Sequence, residues 1–239
     1  MSQVIEVIQR YEIPDLPPTD LPYDDGEPME SNWHRIQIGL LVESTHQRWP
    51  GRTDFFAGGN MFIYYSLKQV RDRNYKGPDF FVVKGVDGTR NRHSWIAWEE
   101  DARLPDVIVE LLSPSTAYQD LGAKKDLYER IFKTPDYFCC DADVASLQGW
   151  RLSDVRYAPL SANEHGRLWS EELQAWLGPW TGEYQGTIAT WLRLFLPDGT
   201  LVATQAEAER ERAEAERERA ESAEAELVRL RAELERLKG

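Results

Sequence analysis

Residues 105–116 read PDVIVELLSPST: an acidic residue behind a proline, an apolar run broken once by Glu110, then a Ser/Pro/Thr turn. Alternate residues of a strand share a face, so Asp106, Ile108, Glu110 and Leu112 point the same way. Glu110 therefore sits within a segment whose neighbours demand burial. A buried carboxylate is costly unless a cation or hydrogen bonds compensate it. Two accounts fit: a structural pair with an Arg or Lys at a sheet end, or a residue held there for its chemistry.

Downstream, Thr116 to Gln119 (TAYQ) matches a capping box opening a helix. Leu121, Leu127, Tyr128, Ile131 and Phe132 supply its apolar stripe as far as Pro135. Asp120, Lys124 and Tyr128 stand at i, i+4 and i+8, hence on one face that leads back toward Glu110. A strand follows at Tyr137 to Cys140. Upstream, Pro78-Asp79 opens the apolar run FFVV in the same way that Pro105-Asp106 opens VIVELL. Further strand-like runs lie at Asn60 to Tyr65 and Ile96 to Trp98, set off by turn signals at Gly77-Pro78 and Asp87-Gly88, and Gly58-Gly59 also reads as a turn. Asn32 caps an expected helix to about Trp49, where Glu43 falls on the apolar stripe of Ile36 and Leu40. Strand, helix and strand in this order imply a mixed sheet covered by helices. Residues 150–202 read as short strands and turns extending that sheet, with Trp176, Trp180 and Trp191 in the core.

Composition limits what this fold can be. Residues 1–31 read as an N-terminal arm, 32–204 as the folded domain and 205–239 as a charged helix. A domain of that size buries enough surface to need neither disulfides nor a structural metal. Cys139 and Cys140 are adjacent and are the only thiols, so both are expected to be free. No basic segment precedes an apolar core at the start, and no apolar run approaches the roughly 20 residues of a membrane span. The expected location is cytoplasmic, with no membrane partner. The net charge of −13 argues against a uniformly basic nucleic-acid-binding surface. It leaves room for a local patch from Lys68, Arg71, Arg73 and Lys76, with Arg90 and Arg92 nearby. The four histidines have no zinc-site spacing, and no phosphate-binding glycine loop or nucleophile elbow occurs.

From Ala206 the chain reads AEAERER twice in succession, a seven-residue repeat of the coiled-coil kind. Ala206, Ala213, Ala220, Leu227 and Leu234 share one heptad position, and Ala223, Leu230 and Leu237 fall on the other seam position. Alanine buries little area, so self-association, expected as a dimer formed partly through this helix, should rest on the last two heptads.

GPDFFVV, PDVIVELLSPST, the D-x-x-x-K-x-x-x-Y run of Asp120, Lys124 and Tyr128, and TPDYF together resemble the Uma2 family, also called DUF820, of the PD-(D/E)XK nuclease superfamily. The likeness extends over residues 32–202. It implies an α/β, restriction-endonuclease-like mixed β-sheet flanked by helices, with Asp79 and Glu110 as acidic metal ligands. The superfamily pattern would place a lysine where this chain has Leu112, and the family resemblance passes that role to Lys124, with Lys125 as the competitor. Asp120 and Tyr128 would support the same helix face, and Glu43 would add a ligand from the first helix or serve structurally. The implied activity is Mg²⁺- or Mn²⁺-dependent endonucleolytic hydrolysis of nucleic acid, DNA first, with RNA open. The competing reading is an inactive nuclease fold used as an interaction module through its helical tail.

Overall fold

The computed structural model describes residues 17–23, 31–72, 77–114 and 116–238. Most of the expected N-terminal arm, and Arg73 and Lys76 of the basic run, lie outside them.

The segment containing Glu110 forms β5 (Val107–Leu111), buried at every residue. It is central in a six-stranded sheet of order β1-β3-β5-β6-β7-β8. Here β1 is Phe55–Gly58, β3 Phe80–Lys84, β6 Asp136–Cys140, β7 Gln148–Ser153 and β8 Arg156–Pro159. β5 pairs parallel with β6 and antiparallel with β3, with Glu110 opposite Cys139 and Phe80 opposite Val109. The sheet is mixed because the helical segment 117–132 returns the chain for the parallel pair, whereas antiparallel pairs need no such crossover and β7 and β8 are joined by a tight turn.

The alternation along β5 decides which layer each residue joins. Val107, Val109 and Leu111 enter one core with Phe80, Val82 and Leu41. Ile108 and Leu112 enter the other with Phe81, Tyr128 and Phe132. The first face is covered by α1 (Asn32–Arg48) and by a separate antiparallel sheet of β9 (Leu168–Ser170), β10 (Ala175–Tyr184) and β11 (Thr187–Phe195). The second face is covered by the helix 117–132. Helices on both faces of a mixed sheet are the expected class of fold.

Several local expectations need correction. Ser31, not Asn32, caps α1, accepting a hydrogen bond from the His34 amide. β1 lies where no strand was expected, and the run at Asn60 to Tyr65 contributes only Ile63–Tyr64 (β2), paired with Trp95–Ile96 (β4). Within residues 150–202 only β7 and β8 extend the main sheet; β9 to β11 turn away to form their own. Gln37 fastens that second sheet to α1, its side-chain amide bonding both the carbonyl and the amide of Leu192, at 2.9 and 2.8 Å.

Glu43 is explained here as well. Its carboxylate accepts from Tyr184 Oη at 2.7 Å and from the Gln205 amide at 2.9 Å. Gln205 is the first residue of the terminal helix, Gln205–Lys238, so Glu43 satisfies an otherwise open amide at a helix N-terminus. The same end is held by buried Arg193, whose guanidinium meets Glu207 at 3.0 and 2.7 Å and lies over the Trp180 ring.

Candidate active site

Asp79 immediately precedes β3 and shares the face of Phe81 and Val83, which is also the face of Glu110 on the neighbouring strand. The Leu111 amide donates to Asp79 Oδ2 at 2.8 Å, and the Asp79 amide donates to Glu110 Oε2 at 3.3 Å. Each acid is thus oriented by the other's strand. The close approach depends on Gly59, just beyond β1: a Cβ there would stand 2.1 Å from the Asp79 carbonyl oxygen and 2.6 Å from an Ile38 methyl. The Asn60 amide meets the Pro78 and Asp79 carbonyls across this contact. Gly59 therefore serves a backbone approach, where the sequence suggested only a turn.

The third side of the site comes from the helix 117–132. Thr116 precedes it, but its hydroxyl does not cap it; Thr116 Oγ1 pairs with Ser113 Oγ at 3.0 Å, so the expected capping box is absent. The helix contains wide, i→i+5 turns at Asp120–Lys124 and Tyr128–Phe132. In a regular α-helix each fourth residue drifts by about 40° around the axis. The wide turns offset this drift, keeping Asp120, Lys124, Tyr128 and Phe132 toward the sheet and leaving Leu121 and Ile131 of the expected stripe exposed.

As a result Tyr128 Oη donates to Glu110 Oε1 at 2.7 Å, while Lys124 Nζ lies 3.2 Å from that same oxygen. Lys124 Nζ also lies 2.8 Å from Asp120 Oδ1, a close ion pair off the hydrogen-bonding axis. Lys125 points elsewhere, its ammonium 3.6 Å over the Trp150 ring. Leu112 is a core residue. Among the residues singled out from sequence, Asp79, Glu110, Asp120, Lys124 and Tyr128 converge. Glu43 does not: it lies nine positions beyond His34 on α1, about 13 Å along the axis.

His34 adjoins the site without having been singled out for it. Its Nε2 is 3.2 Å from the carbonyl oxygen of Leu111, the residue after Glu110, and Nδ1 is 2.7 Å from Ser31 Oγ. A histidine near the start of a helix gives no sequence signal of such a contact, which joins elements 77 residues apart. Of the basic patch, Arg92 is enclosed by Glu100 and the Phe56 and Trp95 rings. Lys68 and Arg71 on α2 (Leu67–Arg71) are exposed.

Charge in the cluster is unbalanced. Glu110 is wholly buried and its pKa is pushed up to about 7, by burial first, with Lys124 opposing and Asp79 adding to the rise. Burial also raises Asp79 and Asp120 above the usual carboxylate range. Burial alone would lower Lys124, but Glu110 and Asp120 hold its pKa above the usual lysine value. One ammonium facing three carboxylates leaves a demand for further positive charge, and the oxygen donors suit a hard cation. Among the described residues, no group of three or more His, Cys, Asp or Glu side chains is arranged to hold a metal ion. Magnesium ordinarily takes one or two carboxylates and completes its shell with water and phosphate oxygens, so Asp79 and Glu110 are a fitting pair.

The protein is thus of the α/β class, a helix-flanked mixed sheet that brings two acids and a lysine together. The family model described as Uma2, "Putative restriction endonuclease", matches residues 8–179, and the chain belongs to that family. It is also similar to a solved structure described as "a putative nuclease belonging to DUF820 from Anabaena variabilis ATCC 29413". That likeness is at 15% identity, covering 66% of this chain and 86% of the other, with a TM-score of 0.42. No curated protein matches the chain. Membership places the protein with nucleases in general terms. No helix among the described residues is long and apolar enough to cross a membrane.

Proposed function

We propose that this protein is a Mg²⁺- or Mn²⁺-dependent endonuclease that hydrolyses phosphodiester bonds in DNA. The observation carrying this reading is the meeting of Lys124 with Glu110 beside Asp79, although Lys124 is fourteen residues from Glu110 and on a different element. Net acidity and the missing lysine at Leu112 favour an inactive fold, and an ammonium supplied from the helix answers the second of these. The family's description as a restriction endonuclease favours DNA as the substrate class.

Asp79 and Glu110 would hold the ion, which supplies Lewis-acid activation of water and charge neutralisation at the scissile phosphate. Tyr128 fixes the orientation of the Glu110 carboxylate by donating to Oε1. Lys124, kept protonated by its acidic neighbours, acts as a donor and counter-charge rather than as a base: it orients the attacking water or steadies charge on the phosphate. Asp120 holds Lys124 at that position, and the Tyr137 hydroxyl steadies the Asp120 carbonyl at 2.8 Å. Asp79 is only partly buried while Glu110 is closed off, so a phosphate would approach from the Asp79 side.

The test is cleavage of supercoiled plasmid and of single-stranded DNA by the purified chain with Mg²⁺, Mn²⁺ or EDTA. Nicked or linear product with either metal and none in EDTA is expected. Cleavage unaffected by EDTA would remove the metal from the account, and no cleavage of any DNA or RNA would favour the interaction-module reading.

A further inference from the structure

The terminal helix is 34 residues long, about 50 Å, and none of its residues is buried. Leu227, Leu230, Leu234 and Leu237 are each about half exposed or more. Spaced by three and four, they form one stripe on a helix made otherwise almost wholly of charged residues and alanine. A stripe of this kind on an isolated helix needs a partner, and the flanking charges identify it.

With Leu227 and Leu234 at heptad position a and Leu230 and Leu237 at d, the g positions are Arg219, Glu226 and Glu233, and the e positions are Glu224, Arg231 and Lys238. In a parallel pair each g residue faces the e residue five positions later on the other helix. Arg219 then meets Glu224, Glu226 meets Arg231 and Glu233 meets Lys238, all opposite in sign. Antiparallel alignment of the same leucines, Leu227 with Leu237 and Leu230 with Leu234, sets Glu233 against Glu233 and Arg231 against Arg231, which repel. We propose that residues 219–238 pair in parallel with the same segment of a second copy of this chain.

The same arithmetic sets where the pairing stops. Toward the domain, the d positions become Glu216 and Glu209, and the parallel g-to-e contact becomes Arg212 against Arg217. Glutamates on the seam and facing arginines separate the helices there, so the pair closes at its far end and opens toward the two domains. This inference concerns assembly and does not rest on the nuclease reading.

The test uses the full chain in two forms. Leu237→Cys places a thiol on the seam; in a parallel pair it meets its own counterpart, whereas in an antiparallel pair the two are held far apart. Cys139 and Cys140 are buried, so the wild type is the control for background crosslinking. With diamide as oxidant, L237C should give a disulfide-linked dimer far above the wild-type background. Charge inversion supplies the second arm. E226K/E233K and R231E/K238E should each associate at least about tenfold more weakly than the wild type in sedimentation, and an equimolar mixture should regain wild-type association. A helix that remains folded by circular dichroism, yet gives no crosslink and no self-association up to about 1 mM, would overturn the proposal. So would association without the L237C crosslink.

Discussion

Replacing Glu110 by Gln should stabilise the metal-free protein above neutrality while removing its activity, and the size of the effect follows from the burial of this one carboxyl. In the folded chain Glu110 keeps its proton up to about pH 7, against 4.5 for an ordinary glutamate. Between those values the folded state binds more protons than the unfolded state, so stability falls as pH rises. The difference is about 3 kcal/mol for Glu110 alone, and the raised pKa values of Asp79 and Asp120 act in the same direction. Lys124 does not oppose this, because its titration lies far above the window. Glutamine is neutral throughout and can still accept from Tyr128 Oη, but its amide would face the Asp79 N–H and lose that contact, at about 1 kcal/mol. The Glu110→Gln protein should therefore equal or fall slightly below the wild type at pH 4.5, and exceed it by about 2 kcal/mol at pH 8. Urea unfolding in EDTA at both values measures this. Parallel stability profiles for the two proteins, or a mutant weaker at pH 8 than at pH 4.5 relative to wild type, would refute the reasoning.

Lys124→Ala should lower cleavage by two or more orders of magnitude, while Lys125→Ala, which loses only its contact with Trp150, should stay within about threefold; steady-state rates on plasmid compare them directly. Gly59→Ala should cost about 1–3 kcal/mol in urea and depress turnover, because the added methyl must push the Asp79 carbonyl aside. Lys133 ends the site helix in the left-handed region at φ 56°, so Lys133→Gly should raise stability by up to about 1 kcal/mol without altering cleavage. Glu43→Ala should leave cleavage near the wild-type rate and instead loosen the start of the terminal helix, seen as faster amide exchange at Gln205.

The parts of the site that the sequence made legible were those with a local period. Period two along residues 105–112 put Glu110 on a buried face, and spacing by four put Asp120, Lys124 and Tyr128 together. The choice of Lys124 over Lys125 came from the family resemblance together with this spacing, and the wide turns of the helix keep Lys124 in line with Asp120 and Tyr128 by preventing drift. What stayed hidden depends on contacts between distant segments. The Gly59 approach to Asp79 and the His34 contact with Leu111 leave no periodic trace. β1 was hidden because four residues that end in Gly58 and run straight into Gly59 resemble a turn more than a strand. Glu43 misled for a related reason: an acid on an apolar stripe signals burial, but not which buried partner it meets. Its partners, Tyr184 and Gln205, are more than 140 residues away.

The most direct test of the central claim compares Mg²⁺-dependent plasmid cleavage by the wild type, Glu110→Gln and Asp79→Asn, each shown to be folded by its urea transition. The account predicts cleavage by the wild type and none above background by either variant. Wild-type rates in folded Glu110→Gln would contradict it.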